Sequence, residues 1–360
     1  MNLSADIVII GSGIGGATAA FALASTGARI LVLERGERLV DTPETRDARA
    51  IFQQGVFRTR ESWLDGRGQP FSPGNFYNVG GNSKFFGAIM YRYRAEDFSA
   101  RRHMEGSTPD WPFGYDDLEP WYGAAEKLFR VRGELGDDPT EPPHSTGYDF
   151  PAVPDEPSLA IARERLRRQG IHASSLPIAV DHVAWLARAR TPWDGFPDTF
   201  TGKIDAETGP LDAALKHGNV ELLTGAEVLR LVTDPSGKRV MHALVRYRGE
   251  EIRVGGGRFI VASGAVNTAA LLLRSAGGAH QTGLANGSDQ VGRNFMNHNC
   301  TAMITLDPRL RNTAVHQKTF GFNDFYLSDP GTGFPLGNVQ LLGKISGPIF
   351  KANMPRVPGF

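Results

Sequence analysis

The run GSGIGG at residues 11–16 sets Gly11, Gly13 and Gly16 in a G-x-G-x-x-G spacing, with Ile14 inside it. The chemistry of such a run is binding of a diphosphate. Gly11 lets the chain turn sharply, Gly13 leaves room for a pyrophosphate against the backbone, and Gly16 lets the next helix approach the sheet. Free N–H groups at the positive end of that helix then face the anion. Glu34 ends the following strand near the expected ~20-residue offset, where a carboxylate accepts hydrogen bonds from a ribose diol. Arg35 beside it reads as an ordinary surface charge. NAD and FAD both satisfy this half-site.

A second run, NVGGNSKFFGAIM at residues 78–90, joins Gly80 and Gly81 to Asn82, Ser83, Phe85 and Phe86. Its glycines predict something pressed against the backbone, and its phenylalanines a flat apolar wall. The histidines (His103, His144, His172, His182, His217, His242, His280, His298 and His316) are scattered without metal-ligand spacing, so no metal site is expected. Cys300 is the only cysteine. A lone cysteine excludes an internal disulfide, a CxxC pair and a thiolate cage, and predicts a small buried apolar side chain.

The elements that must hold these residues follow from pattern. DIVIIG at 5–10 reads as a buried parallel strand, residues 14–26 as an alanine-rich helix ending at Gly27, and about 29–33 as a second strand. A Rossmann dehydrogenase continues with further βα units, but here residues 40–115 are irregular. Helices are expected over 115–129, with Pro120 in or near the first turn, and over 158–169 and 210–217. A β-rich run follows over 219–264, with hairpin chemistry at Asp234-Pro235-Ser236-Gly237, and a helix over 265–277 closes it.

Bulk composition limits the function classes. Of 360 residues, 41% are hydrophobic and 22% charged, with 39 basic residues balancing 39 acidic ones. No overall field draws nucleic acid or an anionic membrane. The arginines of 162–170 lie opposite Leu159, Ala162 and Leu166 and read as a solvated helix face. With no signal peptide and no run near ~20 apolar residues, a cytoplasmic chain without a membrane span is expected.

The 78–98 segment resembles the first signature of the glucose–methanol–choline (GMC) flavoprotein oxidoreductases, matching it at Gly80, Gly81, Asn82, Ser83, Gly87, Tyr91, Asp97 and Phe98. WPFGYDDLEPWYGAAEKLFRVRG, TGAEVLRL, VASGAVNTAALLLRSAG and GLANGSDQVGRNFMNH resemble later blocks of that family, in order. The resemblance implies an α/β fold: an FAD-binding Rossmann-like domain over 1–100 and 215–297, and an incomplete α+β substrate-binding domain over 101–214 and 298–360.

It also implies that Gly80 and Gly81 admit the diphosphate and flavin edge, that Asn82 and Ser83 bond phosphate or ring oxygens, that Val228 meets adenine through its backbone, and that Ser263 and Gly264 lie nearby. Most of the family has asparagine where Phe86 stands. One branch has a flavin-linked histidine where Phe85 stands, so the FAD here is expected to be noncovalent.

The implied activity is oxidation of the CH–OH group of a sugar or alcohol, with hydride passing to flavin N5. An electron-acceptor protein is one of several open acceptors. The family's catalytic histidine belongs to a C-terminal block that this sequence lacks, so no catalytic residue is assigned, and the chain reads as truncated and inactive by itself. A non-catalytic flavin-binding chain working through a partner is the alternative, and an NAD-dependent dehydrogenase a third reading.

Overall fold

The computed structural model describes residues 2–188, 195–199, 202–298, 300–305 and 307–354. The chain forms two compact units, residues 1–42, 55–84 and 205–304 in the first, and 43–54, 85–204 and 305–360 in the second. The sequence had placed its boundaries at 100, 215 and 297.

The first unit is built on β1 (Asn2–Ile10), α1 (Ile14–Ala24), β2 (Ile30–Leu33), β3 (Val220–Leu223), β4 (Ala226–Thr233), β5 (Val240–Tyr247), β6 (Glu250–Val261) and α2 (Ala265–Arg274). The six strands form one sheet in the order β3-β2-β1-β6-β5-β4. β3, β2, β1 and β6 run parallel, with Ile10 opposite both Leu33 and Val261, and β6, β5 and β4 form an antiparallel meander.

Both faces of the parallel part are buried, which explains its continuous apolar runs. Val8, Ile10, Leu31 and Leu33 pack with the meander residues Val228, Leu231, Val245 and Val254. On the other face Ile9, Ile30 and Val32 meet Ala17, Ala20 and Ala24 of α1, together with Val79, Ala206, Leu211 and Ala214. The small side chains of α1 recur at helical spacing and bring the helix close to the strands.

Within the β-rich run, β6 is one strand from Glu250 to Val261 despite Gly255, Gly256 and Gly257 at its centre. Its central glycines mark close approach, not a turn: a Cβ at Gly256 would meet Val8 Cγ2 at 2.9 Å.

In the second unit, Ala88, Phe129, Val131, Val153, Ile178, Ala179, Val180 and Ile204 form the main core. Phe320–Phe322 pairs antiparallel with Ser174–Ser175 and with Val339–Gln340. Pro120 is the sixth residue of the helix Tyr115–Leu128, just past its first turn. Beside that helix, Arg92 forks onto Glu126 at 2.7 and 2.6 Å and also reaches Tyr115 and Glu119. Such pairing is what permits a buried guanidinium.

Two expectations need correction. Arg163 does not belong to a solvated face: it is buried, bonded to Asp155 at 2.6 and 3.0 Å, and lies over the Phe320 ring. Cys300 is exposed, as are its described neighbours over residues 292–298 and 301–305. Among the described residues, no helix is long and apolar enough to cross a membrane.

Candidate cofactor site

The turn from β1 into α1 carries the glycine motif. A Cβ on Gly16 would come 1.9 Å from the Gly11 carbonyl oxygen, so only glycine lets α1 close onto the turn. Gly13 is the N-cap of α1, with no side chain capping it. A Cβ built on Gly13 meets nothing within 4 Å, and the same holds for Gly264 at the start of α2. Ile14, the first residue of α1, is exposed. A side chain at Gly13 or Gly264 would therefore extend into open space beside the turn.

Glu34 is buried, and its carboxylate is partly committed. Oε2 accepts from Ser12 N–H (3.0 Å) and Ser12 Oγ–H (2.7 Å), and Oε1 accepts from Gly36 N–H (2.9 Å). An ionised carboxylate has about four acceptor positions, so Oε1 retains capacity for a diol. The β4 strand starts beside Glu34, where Ala226 N–H donates to the Glu34 carbonyl at 2.8 Å. Val228 lies two residues along, its side chain in the core. The β4–β5 pairing slips between Val228 and Arg230, an irregularity that turns backbone groups out of the ladder.

Ser263 and Gly264 leave the end of β6 next to Gly11. Ser263 Oγ–H donates to the Ile10 carbonyl at 3.2 Å, and Ser263 Cα lies 3.2 Å from a Cβ built on Gly11.

The glycines of the second motif press chiefly against the first. Gly80 N–H donates to Ser12 Oγ at 3.1 Å, and a Cβ on Gly81 would lie 3.6 Å from Gly13 Cα. Both have positive φ, +84° and +56°, which favours glycine at each. Asn82 and Ser83 have protein partners. Asn82 Oδ1 accepts from Phe76 N–H, while Ser83 Oγ donates to the Gly80 carbonyl at 2.6 Å and accepts from Ala206 N–H at 3.0 Å. With its single proton given to Gly80, Ser83 shapes the turn and has none left for a phosphate.

Arg35 is more than a surface charge. Its guanidinium lies 3.8 Å from the centre of the Tyr77 ring and pairs with Glu61 at 3.0 Å and Glu227 at 3.4 Å. Tyr77 OH donates to Glu61 at 2.6 Å. Burial and the Glu61 carboxylate raise the Tyr77 phenol above its ordinary pKa, so it remains a donor. These contacts fix Arg35 beside the start of β4.

Gly11, Gly13, Ile14, Gly16, Glu34, Arg35, Gly80, Gly81, Asn82, Ser83, Val228, Ser263 and Gly264 thus share one unit, around the carboxyl ends of β1, β2 and β6. That is where open parallel sheets bind ligands. Sequence reasoning missed Ser12, which joins Glu34 to Gly80 from a variable position of the motif. It also missed Lys84, buried between Asp205 at 3.0 Å and Glu207 at 2.9 Å. Lysine after a Gly-Gly turn was the only local signal. Its partners lie far along the chain.

Phe85 and Phe86 fall in the second unit, where Phe85 is buried and Phe86 packs on the main core. His298 is exposed. His316 is buried in the second unit beside His182, with ring centres 5.5 Å apart. Among the described residues, no group of three or more His, Cys, Asp and Glu could hold a metal ion.

Two family profiles match this chain: "NAD(P)-binding Rossmann-like domain" over residues 9–56, which covers the first glycine motif and Glu34, and "GMC oxidoreductase" over 195–300, which covers Val228, Ser263 and Gly264. The chain is 31% identical over 344 residues to 6'''-hydroxyparomomycin C oxidase of Streptomyces lividus, covering 90% of this chain and 61% of the relative. It is 32% identical over 301 residues to paromamine 6'-oxidase of Streptomyces fradiae, covering 80% and 52%. The chain therefore spans little more than half the length of these curated relatives. The fold is also similar to that of pyridoxine 4-oxidase from Mesorbium loti, with a TM-score of 0.51 and 22% identity over 75% of this chain and 52% of that one.

Residues 195–300 are thus similar to the GMC oxidoreductases, most of the chain is similar to two oxidases, and FAD is the cofactor these similarities support. The open backbone at Gly13 and Gly264 and the spare acceptor on Glu34 fit a dinucleotide.

Proposed function

We propose that this chain carries the FAD site of an oxidoreductase that oxidises the CH–OH group of a sugar or alcohol. The single observation behind the cofactor half of this reading is the open backbone at Gly13, where a Cβ would touch no protein atom within 4 Å. The substrate half is supported by the two Streptomyces relatives, whose names describe oxidases of 6'''-hydroxyparomomycin C and of paromamine.

The residues divide by role. Gly11, Gly13, Ile14 and Gly81 lie along the diphosphate, with α1 directing its free N–H groups at the negative charge. Glu34 accepts the ribose hydroxyls through Oε1, and the Val228 backbone, Ser263 and Gly264 line the adenine side. Asn82 offers its backbone to the flavin end. Gly16, Gly80 and Ser83 act by holding the turns, and Arg35 by stacking on Tyr77. Bound FAD supplies a two-electron acceptor for the hydride leaving the alcohol carbon. Phe85 stands where one branch of the family carries a flavin-linked histidine and has no nucleophilic atom, which supports a noncovalently held FAD. No residue of this chain is assigned as the base that removes the hydroxyl proton.

The test is direct. Purified protein should be yellow, and acid precipitation should release intact FAD into the supernatant, identified by its mass. Colourless folded protein that takes up no FAD on titration would overturn the reading. For the substrate class, anaerobic mixing with simple sugars, amino sugars and primary alcohols should be followed at the flavin absorbance band. Bleaching by an aldehyde or amine but by no hydroxyl compound would remove the CH–OH assignment.

A further inference from the structure

Lysine beside a Gly-Gly turn in a dinucleotide site suggests a phosphate ligand, but the geometry at Lys84 argues otherwise. Its side chain is 1% exposed, and its ammonium is 3.0 Å from Asp205 Oδ2 and 2.9 Å from Glu207 Oε2. Burial alone would lower its pKa, yet the two carboxylates outweigh that and raise it, so the charge stays. Glu207 also pairs with Arg38, which reaches Asp212 at 3.5 Å. Two cations and two buried carboxylates therefore neutralise one another, leaving little field for a distant phosphate.

The Lys84 stem is in contact with the turn itself. A Cβ on Gly80 would lie 3.0 Å from Lys84 Cδ and 3.2 Å from Glu207 Cβ, so the Gly80 backbone rests on this ion-paired pair of side chains. Ser83 closes the same link, donating to the Gly80 carbonyl and accepting from Ala206 N–H. On its far side the turn meets Ser12 and Gly13. The partner segment is itself anchored, because Ala206 and Leu211 pack on Ala17 and Ala20 of α1. Lys84 thus joins the Gly80–Gly81 turn to the segment supporting the helix that starts at Gly13.

A buried ion pair is a poor source of net stability, since desolvation offsets most of the attraction, but its directional demands can select one geometry. We propose that Lys84, through Asp205 and Glu207, is a positioning residue for the cofactor cradle: it fixes the Gly80–Gly81 turn at its distance from Gly13 and so sets FAD affinity without touching FAD. The proposal rests on the FAD reading above.

FAD titration of apoprotein, followed by flavin fluorescence and visible circular dichroism, tests it. Wild-type protein comes first: if it binds no FAD, the cofactor reading itself fails. If it binds, Lys84→Met should weaken FAD binding about tenfold or more, the loss expected when a preorganised site loosens. The visible dichroism of the bound flavin should change, and Lys84→Arg should recover part of the affinity. Glu207→Gln, which keeps the Asp205 pair and nearly the same shape, should give a smaller loss with unchanged far-ultraviolet dichroism, and it decides the matter if Lys84→Met does not fold.

The dependence of affinity on salt separates positioning from direct contact. In both variants it should match wild type. A weaker salt dependence in Lys84→Met would reveal a direct phosphate contact and overturn the proposal. Wild-type affinity and flavin dichroism in folded Lys84→Met, or in Glu207→Gln where that is the only folded variant, would do the same.

Discussion

Ser12 and Glu34 are joined twice, by the Ser12 N–H at 3.0 Å and its hydroxyl at 2.7 Å, both onto Glu34 Oε2. The same hydroxyl oxygen accepts from Gly80 N–H. One small side chain thus links the first glycine motif, the acid ending β2 and the second glycine motif. Ser12→Ala should leave the Gly80 N–H and one carboxylate position without their partner. A loss of about 1–3 kcal/mol is expected in urea unfolding, together with weaker FAD uptake. Wild-type stability would show that water or a shifted backbone replaces the hydroxyl.

Gly13 and Gly16 should respond oppositely to alanine. Gly13→Ala adds a methyl to open space at an ordinary φ of −66°, so apoprotein stability should stay within roughly 0.5 kcal/mol of wild type. FAD affinity should nonetheless fall at least about tenfold, since the methyl occupies the diphosphate's approach. In Gly16→Ala the methyl meets the Gly11 carbonyl, and the protein should be insoluble or melt far lower. Parallel thermal melts and FAD titrations of the two variants check both statements.

His316 predicts a pH dependence located in the second unit. Burial, with repulsion from His182, pushes its pKa down to about 4 from 6.5. Its other charged neighbours are Glu156 and Lys318, while His182 is lowered by burial and then by Arg132. Because the folded pKa lies below the unfolded one, the unfolded chain takes up protons first. The contribution is intact above about pH 6.5 and is lost progressively as pH falls towards 4. Urea midpoints should therefore drop from pH 7.5 to 5, and His316→Gln should flatten that slope. An equal slope in the variant would place the titration elsewhere.

Arg92 gives a stability prediction. Removing its guanidinium in Arg92→Met strands Glu126, whose side chain is 8% exposed, and takes a partner from Glu119. Breaking a buried pair from one side costs about 3–5 kcal/mol. The double variant Arg92→Met with Glu126→Gln should recover part of that loss, measured by the same unfolding titration.

The sequence by itself determined the first βαβ unit, because its signals are local. β-branched runs, a glycine turn, an alanine helix and an acid at a fixed offset all lie within the first 34 residues. It also marked the second glycine run as a place of close backbone approach, and Gly80 and Gly81 lie against Ser12 and Gly13. Only the tertiary structure decided which polar side chains are free for a ligand. Ser83 and Asn82 look like phosphate donors in the sequence, but their atoms are turned to Gly80, Ala206, Phe76 and Asn75. Lys84, which the sequence did not single out, is held by acids more than 100 residues away. Hydrogen-bond capacity and charge are spent pairwise in space, and residue type and spacing record the capacity without recording the partner. The same cause hid the burial of Arg163 and the exposure of Cys300, since each depends on what the rest of the chain packs over it.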